Sequence, residues 1–415
     1  MTYEQEVALE QEYVMPTFGR KPVEFVEGSG MELVDAEGNR YLDFLSGIGV
    51  CSLGHCHPAL VQAVTEQASK LIHASNYYYI EKRGEVAKML SDLLNAEAAE
   101  GERAPWKTFF ANSGAEANEC AIKLARLHAR NRAEAAGAPA DQAPRLVVTL
   151  KQSFHGRTLA TLAATAQPAK QEAFQPLPQG FIATPLNDVE ALEQLFAERG
   201  GEICAVMVEC IQGEAGVFPC TPEFLQATRR LTAERGALLI CDEVQCGIFR
   251  AGKPFGFQLF GVVPDVVTMA KGIASGMPMG ACAARGAIGE TFAPGDHGST
   301  FGGSNLAIAA AFATLTELGR PGFAAHVEEV GAYLRERLAA LPQVTEVRGY
   351  GLMVGIDLTD NAPAANDVVL AGLKSGLVLN APRAHTLRFL PPLICEKEHV
   401  DELVVKLAAL LDPLL

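Results

Sequence analysis

The sequence predicts an α/β protein: a mainly parallel central sheet with helices on both faces, joined to a smaller α/β domain. Three observations carry this. From about Thr108 onward, short apolar runs alternate with longer amphipathic stretches. The runs (Thr108–Ala111, Arg145–Leu150, Ile203–Glu209, Ala237–Asp242, Val266–Ala270 and Met279–Ala284) are continuously apolar, the pattern of strands buried on both faces. The chain has 415 residues, 49% of them hydrophobic, enough for a large core and two domains.

The elements follow in chain order. The opening stretch, Met1 to Glu12, is acidic and has no apolar segment of the kind a secretory signal needs. Pro22 to Phe44 alternates apolar and polar residues around Asp35-Ala36-Glu37-Gly38-Asn39, a hairpin-like pattern. His57-Pro58 opens a helix. Ala135 to Pro144, rich in Ala and Pro, reads as a surface loop between a helix and a strand. Leu306 to Leu318 reads as a long helix leading out of the core. From about Pro321 another α/β pattern ends in a helix, Glu396 to Leu411. The expected organisation is an N-terminal segment (1–50) belonging to the small domain, a large domain (51–318) and a C-terminal small domain (319–415).

The totals exclude several classes. The net charge is −15, from 34 Lys+Arg against 49 Asp+Glu, with no basic block, which argues against nucleic acid or an anionic membrane as partner. No stretch approaches the ~18 apolar residues of a membrane span. The ten cysteines are scattered, without C-x-x-C, as reduced thiols in a cytoplasmic protein are. Cys51, His55, Cys56 and His57 match no zinc spacing, and Gly47-Ile48-Gly49 lacks the third glycine of a dinucleotide fingerprint.

Several apolar runs end in chemistry. Lys271 leaves Val266–Ala270 into Gly272-Ile273-Ala274-Ser275-Gly276, at the sheet edge where open α/β folds place ligands. Desolvation there lowers a lysine's pKa, and a neutral amine can condense with a carbonyl. Asn112-Ser113-Gly114-Ala115-Glu116-Ala117-Asn118-Glu119 joins a strand to an amphipathic helix with capping-box spacing between Ser113 and Glu116; a helix N-terminus of this kind cradles phosphate. Asp242, in Leu238-Leu239-Ile240-Cys241-Asp242-Glu243-Val244-Gln245, is an acid at the end of an apolar strand and needs a partner, either a protonated ring nitrogen or an Arg. In Ser153-Phe154-His155-Gly156-Arg157-Thr158, Phe154 can stack on a flat ring and Arg157 can take a carboxylate. Glu209 with Gln212-Gly213-Glu214-Ala215-Gly216, and His297-Gly298-Ser299-Thr300-Phe301-Gly302-Gly303, are glycine-bearing loops; Thr300 can donate to a phosphate. Arg388, inside Leu387-Arg388-Phe389-Leu390-Pro391-Pro392, wants an anion. Taken singly, each has an ordinary explanation: a capped helix, a structural ion pair, a surface loop, a snorkelling lysine.

Taken together, in this order and spacing, the motifs resemble the class III (ornithine/acetylornithine-type) aminotransferases of the fold-type I pyridoxal-phosphate superfamily. The resemblance runs from Gly30 to the last helix. It implies that Lys271 carries the cofactor as a Schiff base and then moves the substrate proton. It also implies that Asp242 binds the pyridine nitrogen, that Phe154 and Val244 flank the ring with Gln245 near its hydroxyl, and that Ser113, Gly114 and Ala115 hold the phosphate. Thr300 would help from a neighbouring subunit, so a homodimer with shared sites is implied. Arg157 would hold a substrate carboxylate and Arg388 the α-carboxylate of glutamate; Glu214 would neutralise Arg388 when a terminal amine enters instead. Glu209 and Ser299 complete the substrate-binding set. Ile48, Gly351-Leu352-Met353-Val354-Gly355 and the Arg388 motif are similar to the acetylornithine branch, which implies transamination of N2-acetyl-L-ornithine with 2-oxoglutarate. The alternatives are a relative acting on succinylornithine, ornithine, 4-aminobutyrate or an N-blocked lysine, or an aminomutase of the same fold. Cys210 and Ala215 depart from the family, which often has Pro and Gly there.

Overall fold

A computed structural model describes residues 2–412. Met1, in the acidic opening stretch, and residues 413–415, at the end of the expected C-terminal domain, lie outside the described residues. A seven-stranded sheet forms the centre. Its order is Trp106–Ala111, Gly280–Arg285, Val266–Met269, Leu238–Asp242, Ile203–Val208, Leu146–Leu150, Phe181–Thr184. All neighbours are parallel except Gly280–Arg285, which runs antiparallel to the strand on each side of it. Six strands therefore end at one edge.

The continuous apolar runs follow from this burial. Successive side chains of a strand point to opposite faces. Val147, Ala205, Met207, Ile240 and Val266 pack with Cys120, Ala121, Leu124 and Ala125 of the helix Gly114–Ala135 on one side. Their neighbours Val148, Val206, Leu239, Cys241 and Val267 join the larger core on the other, with Phe224, Leu225 and Ile308. No position along these strands faces water, so none needs to be polar. The strand that the sequence analysis does not contain, Phe181–Thr184, lies at the sheet edge; its apolar run is only three residues long, Phe181 to Ala183, between Gly180 and Pro185.

Both chain ends build the flanking structure. The helix Tyr3–Tyr13, capped by Thr2, is absent from the sequence-based expectation because its residues show no apolar face, and none is buried. Phe25–Ser29, Glu32–Asp35 and Arg40–Asp43 form an antiparallel sheet. The turn expected at Asp35–Asn39 is there, with Asp35 Oδ1 accepting from the Glu37 and Asn39 N–H groups at 3.0 and 2.8 Å. Leu377–Val378 extends this sheet in parallel next to Arg40–Asp43. A second antiparallel sheet orders Val344–Tyr350, Met353–Leu358, Thr386–Phe389 and Asn380–Arg383, with helices Phe323–Ala339, Ala365–Lys374 and Lys397–Leu411 around it. Among the described residues no helix is long and apolar enough to cross a membrane.

Candidate active site

Chain segments leaving the common edge of the sheet enclose a cavity of about 390 Å³. Asn112, Phe154, Glu209, Asp242 and Lys271 line it, each at or just past the end of a different strand, and Ser113, Gly114, Ala115, Arg157, Val244 and Gln245 complete it. This is the carboxyl edge at which parallel α/β sheets bind ligands. Residues spread over 160 positions of sequence meet because their strands point the same way.

Lys271 follows Met269 by two residues and has φ of +44°, a left-handed conformation that a side-chain-bearing residue adopts at a cost. It makes no ion pair or hydrogen bond with any described residue. Burial lowers its pKa, and the opposing charges of Glu214 and Asp242 do not reverse the shift. The result is an amine biased toward its neutral, nucleophilic form.

Asp242 is buried and held from three directions. Oδ1 accepts the Val244 N–H at 3.0 Å; Oδ2 accepts Asn118 Nδ2 at 2.7 Å and pairs with His155 Nδ1 at 2.8 Å. The alternative of an Arg partner is thereby answered by a histidine. Burial pushes the His155 imidazole down, but the bond to Asp242 and its charge outweigh that and raise it. Asn118 Oδ1 and His155 Nε2 are buried without a partner among the described residues. Sequence reasoning assigned no role to either, although both lie inside stretches it singled out; nothing in a lone Asn or His says that it will face a particular Asp across the sheet.

Ser113 caps the helix Gly114–Ala135, its Oγ accepting from Glu116 N–H at 3.2 Å. The expected capping box is half made. Glu116 turns its carboxylate to Asn112, accepting from its N–H at 2.7 Å and its Nδ2 at 2.8 Å. The first N–H groups of this helix have no intrahelical acceptor and open on the cavity. A Cβ on Gly114 would lie 2.7 Å from Val244 Cγ1, and one on Gly280 would lie 2.2 Å from Ser113 O. Glycine at both positions brings Val244 and the neighbouring strand against the turn.

Glu209 accepts Phe154 N–H at 2.9 Å and Gly213 N–H at 3.4 Å. Burial pushes its carboxyl up to about 7, against the pull of His155 and these two donors. Between 4.5 and about 7 the folded chain therefore holds a proton that the unfolded chain has released. Stability then falls as pH rises across that window, by at most ~1.4 kcal/mol per pH unit. The Glu209→Gln variant lacks this titration. Its melting temperature should gain on that of the parent between pH 4.5 and about 7; parallel curves over that range would remove Glu209 as the titrating group.

Glu214 and Arg388 meet beside the cavity through Gln245. Arg388 Nη1 donates to Glu214 Oε1 at 2.6 Å and to Gln245 Oε1 at 3.0 Å, and Gln245 Nε2 donates to Glu214 Oε1 at 3.2 Å. Burial pushes Glu214 up, yet the Arg388 charge and hydrogen bond prevail and hold it below the usual carboxylate range. Arg388 is 2% exposed, with Nε donating to Asn380.

Ser299 and Thr300 are not brought into this cavity. Ser299 Oγ accepts Asn112 Nδ2 at 3.0 Å, and Thr300 is exposed. Ile48 belongs to a turn with four successive positive φ values, Ser46 to Gly49. Asp43 pins it, accepting the Leu45 and Ser46 N–H groups and pairing with His55 at 2.8 Å.

The cavity fits pyridoxal phosphate on its own features. It offers an unpaired amine at Lys271, a buried carboxylate at Asp242, Phe154 and Val244 for the two faces of a flat ring, and free N–H groups at Ser113–Ala115 for a phosphate.

A family model described as aminotransferase class-III matches residues 16–411. The acetylornithine aminotransferase of Caldanaerobacter subterraneus subsp. tengcongensis is 47% identical, covering 95% of this chain and 96% of that protein. That of Methanocaldococcus jannaschii is 42% identical, covering 97% of each. Among solved structures, the acetylornithine aminotransferase of Elizabethkingia anophelis aligns with a TM-score of 0.84 at 32% identity over 99% of both chains. The ornithine aminotransferase of Toxoplasma gondii aligns at 0.89 and 30% identity, over 99% of this chain and 95% of that one.

Proposed function

The chain belongs to the class-III aminotransferases, pyridoxal-phosphate enzymes, and we propose that it moves the terminal amine of N2-acetyl-L-ornithine to 2-oxoglutarate, giving N-acetyl-L-glutamate 5-semialdehyde and L-glutamate, a step of arginine biosynthesis. When bound, pyridoxal phosphate supplies an electron sink for the carbon that loses its proton. The chain supplies the rest. Lys271 would hold the cofactor, and its amine would take and return the substrate proton. Asp242, held in place by His155 and Asn118, would face the ring nitrogen. Phe154 and Val244 would flank the ring, and Ser113, Gly114 and Ala115 would take the phosphate.

The observation that carries the substrate reading is the Glu214–Arg388 ion pair at 2.6 Å. With Arg388 neutralised, a donor enters by its terminal amine and leaves its own carboxylate to Arg157. With Glu214 turned away, Arg388 is free for the α-carboxylate of glutamate. One cavity thus serves two amines of different position. In the same reading Glu209 lies beside the ring, Gln245 relays between the ring and the gate, and Ser299 and Thr300 act across the interface of a cytoplasmic homodimer. The chain divides into residues 51–318 around the large sheet and a small domain formed by the two ends.

The test mixes the holoprotein with single amines, without oxo acid, and follows bleaching of the bound cofactor. N2-acetyl-L-ornithine should bleach it, and free ornithine and 4-aminobutyrate should do so far more slowly. Glu214→Ala should slow the acetylornithine half-reaction by about 10- to 100-fold and leave the glutamate half-reaction within about threefold, the loss expected for one charge-neutralising contact. Bleaching by another amine instead moves the substrate; an unchanged balance in Glu214→Ala removes the gate.

A further inference from the structure

We propose that Lys170 is a second carboxylate-binding cation of this site, acting with Arg157 on the substrate carboxylate farthest from Lys271. This rests on the functional reading above and adds a residue to it. Lys170 Nζ lies 5.3 Å from the centroid of the Phe154 ring, and Arg157 Cζ lies 5.6 Å from the same centroid. Two cations thus share one ring; the ring and Arg157 line the cavity, and Lys170 stands just behind that lining. Neither has a carboxylate partner among the described residues. The Arg157 side chain makes no hydrogen bond there at all, and the Lys170 ammonium makes one, to Gln167 Oε1. An ammonium has three donors, so two remain.

The nearby acids are already committed. Glu214 pairs with Arg388, and Glu209 accepts the Phe154 and Gly213 N–H groups. Two like charges side by side repel, and in a chain of net charge −15 there is no shortage of carboxylates to separate them. Their isolation fits an anion delivered from outside. Burial and then the Arg157 charge lower the Lys170 pKa, and the opposing charges of Glu214 and Glu209, both bonded elsewhere, do not reverse it.

The placement of Lys170 is built. Gln167 Nε2 donates to Ser153 O at 2.9 Å and Gln152 O at 3.3 Å, fixing it to the segment that carries Phe154. Gln171 Nε2 donates to Thr165 O at 2.7 Å and Leu162 O at 3.0 Å, tying down the other side of the short helix Pro168–Gln171. The ammonium is held before any ligand arrives, which reduces the ordering penalty on binding. Both proposed substrates present the matching group: whichever amine faces Lys271, a carboxylate trails at the far end of a short carbon chain. Lys170 should therefore serve both half-reactions, unlike Glu214, which divides them.

The experiment compares the holoenzyme with Lys170→Gln and Lys170→Arg. Binding of glutarate, an unreactive dicarboxylate, is measured by calorimetry, and KM and kcat are measured for N2-acetyl-L-ornithine, 2-oxoglutarate and N-acetylputrescine, the donor without its carboxylate. Lys170→Gln should weaken glutarate about 10-fold and raise both carboxylate KM values similarly, as loss of one charge-assisted contact does, with kcat within about twofold. Lys170→Arg should recover most of the affinity, and N-acetylputrescine should be unaffected. A glutarate affinity unchanged in Lys170→Gln, no glutarate binding in the parent, or an equal loss with N-acetylputrescine overturns the assignment. If the parent rejects N2-acetyl-L-ornithine while glutarate still distinguishes the variants, the donor reading fails and the Lys170 assignment stands.

Discussion

Lys271→Ala should lower turnover by about 10⁴-fold, the upper end of what one positioned proton-transfer group contributes, while leaving the fold intact. Lys271 is the amine that lines the cavity, and its own contacts do not hold it there: it has no ion pair or hydrogen bond among the described residues. Removing it leaves no buried partner unsatisfied, so the stability cost is small, and relief of the +44° backbone conformation is minor because alanine shares the restriction. The chemistry has no substitute nearby. Lys170 is outside the cavity lining, and a guanidinium such as that of Arg157 in the lining, or of Arg388 beside it, does not condense with an aldehyde. Borohydride reduction of the holoprotein followed by peptide mass analysis should find the cofactor on the Lys271 peptide, and on no peptide of Lys271→Ala. Turnover retained within about 100-fold, or label on another lysine, would end the assignment.

How much of this was legible beforehand depends on what holds each residue. Lys271, Asp242, Phe154, Glu209 and the Ser113 turn were readable because each sits at the end of an apolar run, and parallel strands bring such ends to one edge. The strand Phe181–Thr184 was not, because its apolar run is only three residues, closed by Gly180 and Pro185, too short to stand out from a loop. His155 and Asn118 had no signal of their own; their contact with Asp242 spans 87 and 124 residues of sequence. Lys170 was hidden for another reason. A lysine on a four-residue helix looks like any solvated charge, and only its position over the Phe154 ring, with Gln167 tied back to Ser153, sets it apart. The half-made capping box at Ser113 is a case where correct spacing meets a competing donor: the Asn112 N–H and side chain hold Glu116 instead.

Asp242→Asn should lower turnover by about 10²- to 10³-fold, the size of effect seen when one preorganised electrostatic contact is removed from a buried site, and weaken retention of the cofactor. The argument runs through His155. In the parent, His155 and Asp242 form a buried pair with the imidazole pKa raised by its partner. Asparagine keeps the shape but removes the charge, so burial then pulls the His155 imidazole down with only the Glu209 charge opposing it. Two effects separate here. The catalytic loss is the absent anion opposite the ring nitrogen. The stability loss is the pair itself, and it has a sign in pH. A histidine raised in the folded state adds stability that is fully present below its unfolded pKa, about 6.5, and is lost as pH rises through the folded value. The melting-temperature gap between parent and Asp242→Asn should therefore be widest below that unfolded value and close on the alkaline side, whereas the turnover deficit should persist at pH values where the gap has closed. His155→Gln provides the second arm: it should reproduce the pH-dependent part of the stability loss with a much smaller fall in turnover, because Asp242 keeps Asn118 and the Val244 N–H as donors. Equal turnover losses in the two variants would mean that the pair acts as one unit and that Asp242 has no separate role toward the cofactor.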